Sequence, residues 1–471
     1  MNKIFINRSI LIDKKHIHFI GIGGSGMYPL AQILHSQGYY LTGSDNNETD
    51  TLEAVRKMGI PVFLGQRAEN IEGADLIVHT AAIMDDNPEL IAARASGVPV
   101  LERSELLGIV TDWYDNAVCV SGTHGKTTVT SMITQIFVDS GVDISAVIGG
   151  KLPAINGSGI SGKSDIMICE SCEFKDTFLK LSPDISVILN IDADHLDYFG
   201  TLENIISSFA KFAQNTSKAI IVNGDDENSL KAVKGIEGKD MICFGLNKEN
   251  DYYADNIVRV TGIMTEFDAY CHGEKLGRVT LNVAGMHNVV NALAAIAAAE
   301  YLDVPFEKIR DALFNFRGAG RRFEKYGEVG GITVVDDYAH HPAEITVTLE
   351  AAVKLGFKRV WAVHQPFTYS RTSLLLDDFA KALSIADKTV LTSIMGSREK
   401  NTIGIHTSHL AEKIEGCVWF EEEEHDANFE LAAEYVAENA QEGDLVVTLG
   451  CGDVNKLARL ILNKLEKKGT V

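Results

Sequence analysis

Along this chain, short apolar runs alternate with glycine turns and with stretches of helical period. His16 to Ile20 reads as a buried strand. Gly21-Ile-Gly-Gly-Ser-Gly26 breaks it, a helical run through Leu30, Ile33 and Leu34 follows, and Gly38 ends that run. Tyr39 to Thr42, Leu76 to His79 and Val98 to Leu101 are the next strands predicted. The alternation predicts a small doubly wound sheet over residues 1–112. A second series starts with the apolar run around Cys119 and Val120 and a helix over Thr130 to Asp139. It continues with strands at Asp165 to Cys169, Ile185 to Asn190 and Ala219 to Val222, then Val279 to Val283 leading into an Ala-rich helix, Asn288 to Ala299. Residues 313–322, rich in Gly and Arg, mark a boundary. Beyond it, Ile332 to Asp336, Arg359 to Val363, Thr389 to Thr392 and Leu445 to Thr448 are strands of a third series. The expectation is three α/β domains, 1–112, 113–320 and 321–471. Because helical runs follow the β-runs, the sheets are expected to be mainly parallel.

Composition narrows the class. The chain has 471 residues, 45% of them hydrophobic and 23% charged, enough to bury ordinary cores. Its first fifteen residues include Arg8, Asp13, Lys14 and Lys15, and do not form a secretory signal. No stretch reaches the roughly 18 apolar residues of a membrane span. The seven cysteines lack a repeated Cys-x-x-Cys spacing, so free thiols in a reducing cytoplasm are expected. A net charge of −22 argues against nucleic acid as a partner. It does not argue against anionic small molecules, because charges beyond a Debye length of about 8 Å are screened.

Residues 118–128 carry the plainest chemistry. An apolar run ends in Gly122-Thr-His-Gly-Lys-Thr-Thr128, after which a helix can begin. Strand, glycine turn and helix start form a phosphate-binding loop. Glycines let backbone N–H groups approach the phosphate, and the helix end adds positive partial charge. Lys126 reaches the terminal phosphates, and the Thr127 hydroxyl can hold Mg²⁺. The inference is ATP binding. Gly21-x-Gly-x-x-Gly26, with Asp45 about 20 residues on, also fits a dinucleotide fingerprint. The same loop can hold any diphosphate, so these residues alone leave NAD and other nucleotides open. Glu170 and Glu173 follow one predicted strand; Asp192, Asp194, His195 and Asp197 follow another. In a parallel sheet, strand ends of this kind converge at one edge. Carboxylates and hydroxyls suit Mg²⁺, and His is a less usual ligand for it. Thr127, Glu170 and His195 are therefore the candidate metal residues, with Glu173 placed less clearly.

Further motifs extend the pattern. His18-Phe-Ile-Gly-Ile-Gly-Gly-Ser-Gly-Met27, Gly43-Ser-Asp45 and Asp85-Asp-Asn-Pro-Glu-Leu90 lie in the first series. Gly285-Met-His-Asn-Val-Val-Asn291 lies in the second. Gly318-Ala-Gly-Arg-Arg-Phe323, Asp336-Asp-Tyr-Ala-His-His-Pro342, Gln365-Pro-Phe-Thr-Tyr-Ser-Arg-Thr372 and Gly450-Cys-Gly-Asp453 lie in the third. In this order and over essentially the whole length, the chain resembles the Mur ligases, the ATP-dependent amide-forming enzymes of bacterial peptidoglycan synthesis. The resemblance implies a cytoplasmic ligase that joins L-alanine to the carboxylate of UDP-N-acetylmuramate through an acyl phosphate, with ATP and Mg²⁺. It implies UDP-sugar contacts from Gly21, Gly23, Gly24, Ser25, Gly26, Ser44 and Asp45. It implies ATP contacts from Gly122, Thr123, His124, Gly125, Lys126, Thr127, Thr128, His287, Asn288, Asn291, Arg322 and Asp337. Lys126, His195, His340 and Arg371 are its implied catalytic residues, with the third domain, Arg371 included, closing over ATP.

The chain also departs from the family's pattern. The usual Glu-Ala-Asp-Glu-Ser-Asp reads Glu170-Ser-Cys-Glu-Phe-Lys175, so Cys172 and Lys175 replace acids, and Phe367 stands in a Gln-Pro-His stretch. A related ligase that attaches a ready-made peptide to the same nucleotide sugar shares the loop. Two readings of other classes are a nicotinamide oxidoreductase, in which the ATP loop has no role, and a catalytically silent nucleotide sensor.

Overall fold

The computed structural model describes residues 9–260, 264–283, 285–397, 399–422 and 424–469. The side chain of Asp197 lies outside the described set. The described residues fall into two compact units, one of 9–260, 264–282 and 286–319, and one that begins at Gly320 and also takes in Val283 and Gly285. The first unit holds two sheets and the second holds one.

The first sheet comprises β1 (His16–Ile20), β2 (Tyr40–Asp45), β3 (Val62–Leu64), β4 (Leu76–His79) and β5 (Val100–Glu102). Their order is β3-β2-β1-β4-β5, and every pairing is parallel. Parallel strands need crossovers, and helices Tyr28–Ser36, Asp50–Lys57 and Pro88–Ala95 supply three of them. Ile17, Phe19, Leu76 and Val78 are fully buried, which explains the unbroken apolar reading of these strands. Between β1 and β4 the strand order reverses, and the glycine loop after β1 emerges there, where an open sheet binds ligands.

The second sheet has ten strands: β6 (Asn116–Ser121), β7 (Ser145–Leu152), β8 (Gly157–Ile160), β9 (Ile166–Glu170), β10 (Ile185–Ile188), β11 (Ala219–Asn223), β12 (Asp240–Gly245), β13 (Tyr252–Arg259), β14 (Thr265–Cys271) and β15 (Glu274–Leu281). The order is β15-β14-β13-β12-β11-β10-β6-β9-β7-β8. β6 is thus flanked by β10 and β9, both parallel to it, so the phosphate loop and the segments after Glu170 and Ile188 leave the sheet side by side. The alternation of strand and helix expected throughout fails over 240–281. There β13, β14 and β15 form an antiparallel meander, and His272 (φ 47°) and Gly273 (φ 84°) make the tight turn of its second hairpin. The cysteines are free thiols, and Cys119 and Cys169, opposite each other on β6 and β9, have sulfurs 3.5 Å apart.

The second unit contains β16 (Glu324–Val329), β17 (Ile332–Asp337), β18 (Arg359–His364), β19 (Lys388–Leu391), β20 (Val418–Trp419) and β21 (Asp444–Leu449). The order is β16-β17-β21-β18-β19-β20, with only the β16–β17 pairing antiparallel. One face packs Val335, Ala362, Leu391 and Val447 against helices 342–353 and 376–383; the other packs Trp361, Val363 and Val446 against helices 425–439 and 455–469. Among the described residues no helix is long and apolar enough to cross a membrane.

Candidate active site

The phosphate loop is held in shape by its neighbours. Gly122 (φ 150°) and Gly125 (φ 86°) occupy conformations that side chains avoid, and a Cβ on Gly125 would lie 2.9 Å from Asn291 Oδ1. Thr123 N donates to Asn190 O at 3.0 Å, and His124 N donates to Asn190 Oδ1 at 2.8 Å. Asn190 Nδ2 returns a bond to His124 O at 3.0 Å, and Asp192 N donates to Thr123 Oγ1 at 2.9 Å. The segment after β10 therefore sets the loop. Helix Lys126–Asp139 starts directly behind Gly125, so its unpaired N–H groups face the loop's concave side.

Lys126 lies inside this cradle. Its Nζ donates to Gly122 O (2.5 Å), Thr123 O (3.0 Å) and Glu173 Oε1 (3.1 Å). Burial opposes the charge of Lys126, but Glu173, Cys172 and Glu170 outweigh it and raise the ammonium pKa above the ordinary lysine value. Glu173 itself is 2% exposed, so the pair is an interior one. Thr127 Oγ1 donates to Glu170 Oε1 at 3.0 Å, and Gly149 N donates to Glu170 Oε2 at 2.7 Å. A Cβ on Gly149 would come within 2.5 Å of that carboxylate, so only glycine leaves room for it.

A hydroxyl and a carboxylate side by side at a phosphate loop form a fitting donor set for Mg²⁺, which takes few protein ligands and completes its shell with phosphate and water. Among the described residues no cluster of three or more His, Cys, Asp and Glu side chains could enclose a metal. The His195 ring packs on Phe174 at 4.6 Å, with Nε2 3.8 Å from Asp194 Oδ2. Its backbone is left-handed (φ 52°), as are those of Lys175 (φ 53°) and Asp176 (φ 57°). Of the adenine-side candidates, Asn291 donates to Asn288 Oδ1 at 3.1 Å and both are buried, whereas His287 is exposed.

At the first sheet, Asp45 Oδ2 accepts the Gly23 N–H at 3.0 Å. Ser44 O accepts the N–H groups of Gly21 (2.8 Å) and Ile22 (3.0 Å). The Ser44 hydroxyl is buried and donates to Glu89. Ser44 thus shapes the loop from behind. Two residues that the sequence reading did not single out reach the same loop. Arg103 lies 3.0 Å from where a Gly26 Cβ would stand, and Ser158 donates to Ser25 O at 3.0 Å. Arg103 follows β5 with no motif around it, and Ser158 comes from the second sheet, so neither carried a local signal.

In the second unit the candidates gather at the carboxyl ends of β17, β18 and β21. Asp337 accepts from Phe323 N and Ala339 N, both at 2.8 Å; burial pushes its carboxyl up to about 6, with Arg322 opposing. The Arg322 guanidinium lies over Tyr338 at 5.2 Å. His340 Nδ1 lies 3.2 Å from Glu344 Oε2, and although burial works against it, this contact holds Glu344 well below the usual carboxylate range. Arg371 Nη1 is buried without a hydrogen-bond partner among the described residues. Its charge reaches Cys451, whose thiol burial nevertheless pushes up to about 12. A free guanidinium N–H at the end of a parallel sheet is a ready anion donor.

Residues 16–114 match the model of the Mur ligase family catalytic domain, 120–299 the Mur ligase middle domain, and 321–452 the Mur ligase glutamate ligase domain. The chain is 42% identical to a UDP-N-acetylmuramate–L-alanine ligase of Caldanaerobacter subterraneus, over 96% of this chain and 98% of that protein. It is 44% identical to the ligase of the same name from Agathobacter rectalis, over 95% and 98%. Among solved structures, UDP-N-acetylmuramate-alanine ligase of Thermotoga maritima superposes with a TM-score of 0.79 at 27% identity, covering 96% of this chain and 99% of that one. A murein peptide ligase of Psychrobacter arcticus shares the fold, with a TM-score of 0.69 at 24% identity over 96% and 98%. From its first sheet to its last, the chain belongs to the Mur ligase family.

Proposed function

We propose that this protein joins L-alanine to UDP-N-acetylmuramate at the expense of ATP, in the cytoplasmic stage of peptidoglycan precursor synthesis. The observation that carries the reading is the phosphate loop with Lys126, Thr127 and Glu170 drawn together, in a chain 42–44% identical to alanine-adding relatives. A carboxylate and an amine at neutral pH form a salt, so the carboxylate needs activation. As an anion it already is a nucleophile, and the obstacle is its approach to the γ-phosphate. Lys126 and the helix N-terminus would stabilise charge there, and Thr127 and Glu170 would hold Mg²⁺, which would supply further neutralisation of phosphate charge. Collapse of the acyl phosphate onto an amine requires the ammonium to lose a proton. His195 and His340 are the candidate acceptors, and Arg371 is the candidate contact for the anion.

In this reading residues 1–112 hold the uridine nucleotide, 113–320 hold ATP and 321–471 hold the amino acid. The oxidoreductase alternative leaves the built ATP loop idle. ADP release by the purified protein tests the proposal. It should need UDP-N-acetylmuramate and L-alanine together, and replacing alanine with a tripeptide should abolish it. Turnover with the tripeptide instead would assign the peptide-adding activity. Calorimetric binding of NAD but not UDP-N-acetylmuramate would overturn the ligase reading.

A further inference from the structure

Two strands of the second sheet are rich in glycine because of what their backbones touch outside the sheet. β7 and β8 pair at Ala146–Ile160 and Val147–Gly159, and next at Leu152–Gly157. Residues 148–151 of β7 are therefore bulged opposite Ser158 alone. Val147, opposite Cys169, is also the last residue of β7 in register with β9. The bulge turns both strands toward other partners.

At one end, Gly149 N donates to Glu170 Oε2 at 2.7 Å, while the other oxygen of that carboxylate accepts from Thr127 Oγ1 at 3.0 Å. At the other end, Ser158 Oγ donates to Ser25 O at 3.0 Å, and Ser158 is 5% exposed. A Cβ on Gly159 would collide with the Pro29 ring, so β8 lies directly on the helix that follows the glycine loop. One hairpin thus reaches the carboxylate beside the phosphate loop and the glycine loop of the first sheet. Two further contacts join the same parts. Ser36 Oγ lies 2.7 Å from Ser161 Oγ, and Lys151 Nζ lies 3.5 Å from Asp50 Oδ2, the latter an exposed pair worth little.

The bond to Ser25 has a direction. A trans peptide is planar, so the Ser25 carbonyl and the Gly26 N–H share one plane and point opposite ways. Fixing the carbonyl on Ser158 aims the Gly26 N–H away from β8. Backbone N–H groups of a glycine loop are what a diphosphate meets. Ser158 therefore sets the angle of one of them from behind.

We propose that the β7–β8 hairpin couples the two nucleotide sites, with Ser158 as the positioning residue through which the coupling reaches the UDP-sugar loop. The inference rests on the proposed function, with ATP at Gly122–Thr128 and the UDP-sugar at Gly21–Gly26. A ligand that holds Thr127 and Glu170 in place also holds Gly149, and with it the bulge and Ser158. The first ligand orders the hairpin, and the second no longer has to, so each binds more tightly with the other present.

Calorimetry on the full-length protein tests this. The dissociation constant of UDP-N-acetylmuramate is measured with and without saturating Mg²⁺ and β,γ-imido-ATP, which is not hydrolysed. The quantity read is the factor by which the nucleotide tightens UDP-sugar binding. It is compared among wild type, Ser158→Ala and Ser36→Ala, with melting curves to confirm folding. Charge effects between the two ligands are common to all three proteins and cancel in the comparison. A merely structural role of Ser158 would weaken both constants and leave the factor unchanged. The factor should be about fivefold larger in the wild type than in Ser158→Ala, the worth of one neutral hydrogen bond, and Ser36→Ala should keep the wild-type factor. Equal factors in wild type and Ser158→Ala, or an equal drop in Ser36→Ala, would overturn the coupling. Hydrogen exchange gives a second measurement on the wild type alone. Amides of residues 145–160 should exchange more slowly once Mg²⁺ and β,γ-imido-ATP are added without UDP-sugar; an unchanged rate would overturn the coupling too. No binding of UDP-N-acetylmuramate by any of the three proteins in either condition would instead overturn the functional reading, and this inference with it.

Discussion

His364 ends β18 in the interior of the second unit, fully buried and stacked on Phe379 at 5.6 Å. Its Nδ1 donates to Leu449 O at 3.0 Å, which leaves Nε2 as a buried acceptor without a hydrogen-bond partner among the described residues. Burial holds its pKa down to about 4, against 6.5 for a free imidazole. A lowered pKa means that the folded state resists a proton that the unfolded chain takes up readily. The stability it contributes is therefore complete above 6.5 and is lost as pH falls toward 4. At pH 5 the unfolded ring favours protonation over the folded one by about 1.5 log units, or about 2 kcal/mol, whereas at about pH 7.5 the difference is near zero. His364→Phe removes the titration, and Leu449 O keeps a donor in Gln365 N. Urea unfolding should be followed through Trp361, which sits on the same strand, in a background with Trp113→Phe and Trp419→Phe. Between about pH 7.5 and pH 5 the unsubstituted protein should lose about 2 kcal/mol more than His364→Phe. Equal losses would show that His364 is not held neutral by burial, and would refute the reasoning.

Three other outcomes are expected. Lys126→Ala should lower turnover by at least about a hundredfold with an unchanged far-ultraviolet dichroism spectrum, since it removes the one lysine inside the loop; a coupled ADP assay reads this out. Glu170→Ala should shift the Mg²⁺ dependence of turnover to higher concentration or stop it, while Glu170→Asp should retain part of the activity, as a titration with MgCl₂ will show. Arg371→Ala should depress kcat by about tenfold or more while the Michaelis constant for ATP changes little, as fits a buried free guanidinium outside the phosphate loop; steady-state kinetics separate the two.

Much of this molecule is legible in its sequence because its central strands are buried on both faces. His16–Ile20 and Leu76–His79 have the bounds the apolar runs predict, since a parallel strand covered by helices needs no polar alternation. The meander over 252–281 is legible only at its last strand, where the run Val279 to Val283 overlaps β15. The buried positions of β13 and β14 run consecutively rather than alternating, and the turn uses His272 at a position where Asn or Asp is the usual signal. β7 and β8 are rich in glycine, which weakens the sequence signal of a strand. At the candidate site, the sequence brought out the residues within motifs: Lys126, Thr127 and Glu170. It could not bring out what contacts across the fold assign. The buried pairing of Glu173 with Lys126, the turning of the Ser44 hydroxyl toward Glu89 and the approach of Arg103 to Gly26 join residues 45 or more positions apart.

The strand order of the second unit bears on how the protein is made. β21 pairs with both β17 and β18, yet the ribosome delivers it after all five other strands of its sheet. A nascent chain that has emerged only as far as β20 holds two half-sheets, β16-β17 and β18-β19-β20, with exposed apolar edges and nothing to join them. The first unit can complete both of its sheets while translation is still under way, because its last strand closes at Leu281. Synthesis therefore has a vulnerable interval late in the reading frame, and the second unit acquires its architecture in a single late step, when Asp444–Leu449 is inserted.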